Sequence, residues 1–96
     1  MLTFPNGGYR CRMGTYGTDI QAAMATQIKA EMAARDWKQS DLSRATGIVS
    51  STLYRYLSGQ RDIPLPAFAE IAKALGLSMV ELASRAQRRL DGENVQ

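Results

Sequence analysis

Three glycines do most to limit what this chain can fold into. Gly47, Gly59 and Gly76 interrupt the stretch between Asp36 and Leu90 at intervals too short for any long helix. Between them the apolar residues recur three and four apart, which places them on one stripe of a helix. Leu42 and Ala45 lie before Gly47, then Ile48, Leu53, Tyr56 and Leu57 before Gly59, then Phe68, Ile71, Ala72 and Leu75 before Gly76. A glycine ends a helix because it accepts the positive φ that other residues resist. In QRDIPLP, Pro64 and Pro66 forbid a helix through the middle of the segment, while Pro66 suits the first turn of the next one. The pattern therefore predicts short helices joined by tight turns, with no strand periodicity.

A longer helix is predicted upstream, from Thr18 to about Arg35. Ile20, Met24, Ile28 and Met32 form its apolar stripe, and Thr18 or Asp19 is positioned to cap its start. The second helix is QSDLSRAT, with Leu42 and Ala45 facing inward, and the third runs from about Ser50 to Leu57. The fourth begins near Pro66. Ser78 opens the fifth, with Glu81 three residues on as in a capping box, and Met79, Leu82 and Ala86 face the body. A five-helix, compact all-α domain over residues 18–90 results. Residues 1–17 are rich in Gly, Thr and Tyr without helical period and read as a flexible arm or a small hairpin turning at Asn6-Gly7. Met13 offers an alternative start, and residues 91–96 read as a frayed tail.

At 96 residues the chain is one domain near the lower limit for a self-sufficient core. Its 45% hydrophobic and 22% charged residues are ordinary for a globular protein. No apolar run approaches the roughly 18 residues of a membrane span, and the N-terminus has no signal-peptide core. The single cysteine, Cys11, cannot form an internal disulfide, which fits a reducing cytoplasm. With no histidine and one cysteine, a zinc site and the usual nucleophile–base pairs are excluded. Asp36, Asp41, Asp62 and Glu70 lie beside helix starts, where capping and the helix dipole account for them. No enzyme, no cofactor and no small-molecule ligand is expected.

The net charge of +3 is modest but unevenly spread. Residues 37–61 carry Lys38, Arg44, Arg55 and Arg61 against Asp41 alone, whereas Arg85, Arg88 and Arg89 are balanced by Glu81, Asp91 and Glu93. Arg10 and Arg12 add a second basic contribution. Clustered positive charge is the footprint of phosphate binding. It coincides with the segment TGIVSSTLYRYLSG, residues 46–59, in which Ser50, Ser51, Thr52, Tyr54 and Arg55 crowd the side opposite Leu53 and Leu57.

From Asp36 to Leu82 the sequence resembles the phage repressor and Cro family, the XRE-type regulators. The resemblance rests on Gln39 opening the second helix, Leu42 with a small residue after it, Ala45, Gly47 in the turn, Ile48, Leu53, Tyr56-Leu57 and Ser58-Gly59. The segment IAKALGLSMVELA, Ile71 to Ala83, is similar to the family's fourth and fifth helices, and Thr18 to Arg35 fits its first. The resemblance implies a phage-repressor-like helix-turn-helix domain that lays its third helix in the major groove. It puts base contacts on Ser50, Ser51 and Arg55, with Thr52 near a thymine methyl or a phosphate. It puts phosphate contacts on Gln39, Lys38, Tyr54, Ser58 and Arg61. The sequence departs from the family where Lys38 and Val49 replace the usual Ser or Thr caps, so Ser50 is expected to cap the third helix.

The function so implied is sequence-specific binding of double-stranded operator DNA, most simply repression by a homodimer on a pseudo-palindromic site. The setting so implied is the cytoplasm, for a bacterial or phage-encoded, nucleoid-associated protein. Val80, Ala83 and Leu90 form an apolar edge of the fifth helix that a dimer would cover, and Arg10 and Arg12 are candidate arm contacts to DNA. Two alternatives differ in partner: an antitoxin-like autoregulator that also binds a toxin, and a helical protein-interaction module without DNA binding.

Overall fold

A computed structural model describes the backbone of residues 7–95 and the side chains of residues 16–92. Five helices follow one another: α1 Gly7–Ala34, α2 Gln39–Thr46, α3 Ser50–Leu57, α4 Leu65–Ala74 and α5 Met79–Val95. Two of them are longer than their sequence patterns predict. α1 starts at Gly7 rather than Thr18, so YRCR is helical and not a hairpin strand, and α5 continues past Leu90 to Val95. Residues 1–6 and 96 lie outside the described residues.

The helix ends follow from backbone chemistry. α4 closes with the Leu77 N–H donating to the Ala72 carbonyl at 2.9 Å, around Gly76 at φ 79°. α1 closes the same way, Trp37 N–H to Met32 carbonyl at 2.9 Å, but the left-handed residue is Asp36 at φ 58°. A short polar side chain tolerates that conformation better than a branched or bulky one. The two endings are therefore the same hydrogen-bond motif with different residues at its apex.

The main core joins all five helices. Ile28, Leu42, Leu53, Phe68, Ile71 and Leu82 are fully buried, and Met32, Tyr56, Leu57, Ile63 and Leu75 complete the cluster. Burying each large apolar side chain contributes about 1.5–3 kcal/mol, which is how a small chain offsets its ordering entropy. The α4 face of Phe68, Ile71, Ala72 and Leu75 is buried as its spacing predicts. On α1 the stripe is broader than predicted. Ile28 and Met32 are buried, Ile20 and Met24 half-buried, and Ala23 and Ala25 are buried beside them.

A second, smaller cluster lies where α1 and α5 run alongside each other, formed by Ala23, Ala86 and Leu90 with Ile20 and Met24 against them. Leu90 is 3% exposed there, so it finishes the monomer and is not part of an open apolar edge. That corrects its assignment to a dimer contact. Val80 at 73% and Ala83 remain exposed. Ala45 is likewise corrected: it is exposed on α2, and Leu42 alone of that helix is fully inward.

Candidate nucleic-acid interface

The turn between α2 and α3 is held by side chains as well as by its glycine. Gly47 takes φ 78° and its N–H donates to the Ser43 carbonyl at 2.9 Å. The Ser43 hydroxyl donates to the Ile48 carbonyl at 2.6 Å. The Thr46 hydroxyl donates to the Leu42 carbonyl at 2.8 Å and accepts from the Ile48 N–H at 3.2 Å. These bonds satisfy the carbonyls and amides that a helix end leaves unpaired. These local bonds and the packing of Ile48 and Leu53 together hold α2 against α3.

α2 begins without a hydroxyl cap. The Asp41 carboxylate accepts the Lys38 N–H at 2.8 Å, which is one half of a capping box. A lysine ammonium has no acceptor, so the Lys38 side chain cannot supply the other half and stays exposed. Asp41 also pairs with Arg44 at 2.7 Å. Arg44 is thus neutralised locally, and the uncompensated cations near the turn are Lys38, Arg55 and Arg61. All three are exposed, and none makes an ion pair among the described residues.

α3 divides sharply. Leu53, Tyr56 and Leu57 are buried, while Ser50, Ser51, Tyr54 and Arg55 are exposed and Thr52 is half-buried. Val49 is the N-cap residue and makes no side-chain cap bond. Ser50 is the first helical residue and does not cap, which corrects that expectation. Its hydroxyl instead accepts from the Gln39 amide nitrogen at 2.9 Å, and its carbonyl accepts from the same nitrogen at 3.0 Å. At the far end the Arg55 carbonyl accepts from the Ser58 hydroxyl at 3.3 Å, the Gln60 N–H at 3.0 Å and the Arg61 N–H at 3.2 Å. The turn carrying Ser58 and Arg61 is therefore tied to the helix carrying Arg55. Arg10 and Arg12 belong to α1, but their side chains lie outside those described.

Two supporting contacts carry no local sequence signal. The Gln21 side chain of α1 accepts the Ile63 N–H at 2.8 Å and donates to the Ile63 carbonyl at 3.4 Å, clamping the loop after α3. On the other side of α1, Glu31 is 6% exposed and bonded to Arg35 and Arg85, each at 2.7 Å, and to Gln27 at 2.8 Å. Arg85 also holds Glu81 at 2.8 Å, and Arg89 donates to Gln27 at 3.0 Å. Burial pushes the Glu31 carboxyl up, but the bonds from Arg85, Arg35 and Gln27 outweigh it and hold it down to about 2. The same carboxylates raise Arg85, chiefly through its bonds to Glu81 and Glu31.

The fold is that of an all-α helix-turn-helix protein, with α2 and α3 as its paired helices. A family model described as a helix-turn-helix matches residues 28–82, more than half of the chain. The chain belongs to this family of XRE-type, Cro- and repressor-like DNA-binding regulators, which is not an enzyme family. Comparison with curated proteins and with solved structures gave no significant match. Among the described residues, no helix is long and apolar enough to cross a membrane.

Proposed function

We propose that the protein is a transcriptional repressor that occupies a pseudo-palindromic operator as a homodimer, reading each half-site with α3. The observation that supports this best is the outer face of α3. It is polar and exposed, it carries Arg55, and Lys38 and Arg61 flank it, all three without an ion pair among the described residues. Arg55 is suited to the O6 and N7 of a guanine, with Ser50, Ser51 and Thr52 at neighbouring base edges. Lys38, Tyr54, Ser58 and Arg61 border that face as phosphate contacts, and Arg10 and Arg12, in the first turns of α1, are further DNA contacts on the same reading. Selection of bound sites from random duplex DNA tests it: two inverted half-sites centred roughly 34 Å apart are expected. Recovery of no consensus would overturn it.

The dimer is supported by Val80 and Ala83, the apolar residues that α5 leaves exposed among the described residues. One short helix reads too few bases for selectivity, and coupling two raises affinity through effective concentration. Val80→Glu is expected to lower full-site affinity at least tenfold while leaving half-site affinity unchanged, measured by mobility shift on both duplexes. Unaltered full-site binding would move the dimer contact elsewhere.

A further inference from the structure

Gln39 and Ser50 are the first residues of α2 and α3, and their side chains meet across the turn. We infer that they act as one composite reader of an adenine edge, in which Gln39 supplies the acceptor and Ser50 the donor. The inference rests on the DNA-reading role proposed for α3 and assigns a base to one part of it.

The orientation of the Gln39 amide follows from its neighbour. One amide atom lies 3.0 Å from the Ser50 carbonyl oxygen and 2.9 Å from the Ser50 hydroxyl oxygen. A carbonyl oxygen can only accept, so the atom facing it is the NH₂ group. The amide is planar, and fixing its nitrogen fixes Oε1, which has no hydrogen-bond partner among the described residues. Gln39 therefore presents an acceptor.

Ser50 presents the complement. Its hydroxyl oxygen accepts from Gln39, so its hydrogen is directed away from the amide. Accepting one hydrogen bond strengthens an O–H as a donor to the next. No capping bond engages this hydroxyl, because Val49 is the cap residue.

An acceptor beside a donor matches one base edge. Adenine offers the N6 amino donor and the N7 acceptor in the major groove. Guanine offers O6 and N7, both acceptors, and would set O6 against Gln39 Oε1. Thymine has no donor there, and cytosine has no acceptor beside its amino group. A lone glutamine pairs with adenine through its own amide oxygen and nitrogen. Here Ser50 engages the nitrogen, and the serine hydroxyl takes its place. The same geometry leaves the Gln39 side chain no free N–H for a phosphate oxygen, so the phosphate contact proposed for Gln39 falls to its backbone N–H at the start of α2.

The test uses the full chain and the site selected from random duplex. Binding of the wild type, Gln39→Ala, Ser50→Ala and the double variant is measured on that site. It is measured again with each half-site adenine replaced by 7-deazaadenine, which lacks N7, or by purine, which lacks the amino group. At one adenine per half-site, Gln39→Ala is expected to lose about tenfold of the preference for adenine over guanine. Ser50→Ala keeps that preference, because both purines carry N7, and weakens binding to either base; the double variant combines the two losses. The wild type should lose affinity with both modified bases, Ser50→Ala only with purine, and Gln39→Ala only with 7-deazaadenine. Equal weakening of all duplexes by Gln39→Ala, effects of the two variants at different base pairs, or indifference of the wild type to both modified bases would each overturn the inference alone. A wild type that selects no sequence would overturn the DNA-reading role as well.

Discussion

The outer face of α3 and the seam between α1 and α5 are both polar and both contain arginine, yet they are built on opposite terms. In the seam each charge has a partner: Glu31 holds Arg35 and Arg85, Arg85 holds Glu81, and Arg89 meets Gln27. On α3 and its flanks, Arg55, Arg61 and Lys38 are exposed without an ion pair among the described residues. A buried charge left alone costs several kcal/mol, so the seam must be satisfied within the molecule. A surface cation carries no such obligation and is available to a polyanion. Polar residues alone do not distinguish architecture from function. Whether the molecule itself satisfies them does.

Breaking the seam should give the largest effect. Glu31→Gln leaves Arg35 and Arg85 without their shared carboxylate and is expected to destabilise the domain by on the order of 3 kcal/mol. In a domain of this size that lowers the melting temperature by roughly 12–24 °C, read by circular dichroism. Base preference at temperatures where the variant remains folded should be unchanged. A shift of only a few degrees would demote the seam to surface chemistry.

The pH dependence sharpens the same point. The Glu31 carboxyl lies at about 2 in the folded protein, against 4.5 ordinarily. The folded state therefore binds this proton less readily than the unfolded one. The resulting stabilisation is complete above about pH 5 and is lost as the pH falls from there through about 2. Denaturant titrations of Glu31→Gln should lack this acid limb, and equal limbs in both proteins would refute it.

The contact face should respond in binding and not in stability. Arg55→Ala is expected to cost about 1–3 kcal/mol of specific binding and to relax preference at one base pair of each half-site. Equal losses on specific and random duplexes would make it a backbone contact. Smallest of all, Arg61→Ala should weaken every duplex alike and reduce the salt slope by about one phosphate. An unchanged slope would separate Arg61 from the face altogether.

Much of α2 to α4 was legible because its determinants are local. Gly47 and Gly59 mark helix ends, and the spacing of Leu53 and Leu57 sorts α3 into two faces. The places that were not legible depend on distant partners. GGYRCRMGTYG is poor in strong helix formers, yet α1 spans it, and Tyr16 near its end is tied to Gln87 at 3.0 Å, 71 residues away. Leu90 looked like an open edge because nothing nearby in sequence announces Ala23 and Ile20 as its neighbours. Nothing near Glu31 and Gln27 in sequence announces Arg85 and Arg89 as their partners. At the candidate site the sequence supplied the residues but not their pairings. That Gln39 turns its nitrogen to Ser50 depends on the angle at the turn.

The seam also sets an order in time. Glu31 is joined to Arg85 across 54 positions of chain, and Gln27 to Arg89 across 62. A ribosome delivers α1, α2 and α3 first, at about 5–20 residues per second. Throughout that interval the residues of α2 and α3 are present in the chain while the Glu31 carboxylate still lacks Arg85. Only when α5 emerges can α1 close against it. The half of the molecule that carries the helix-turn-helix is thus synthesised early and completed late, and the final helix acts as its latch.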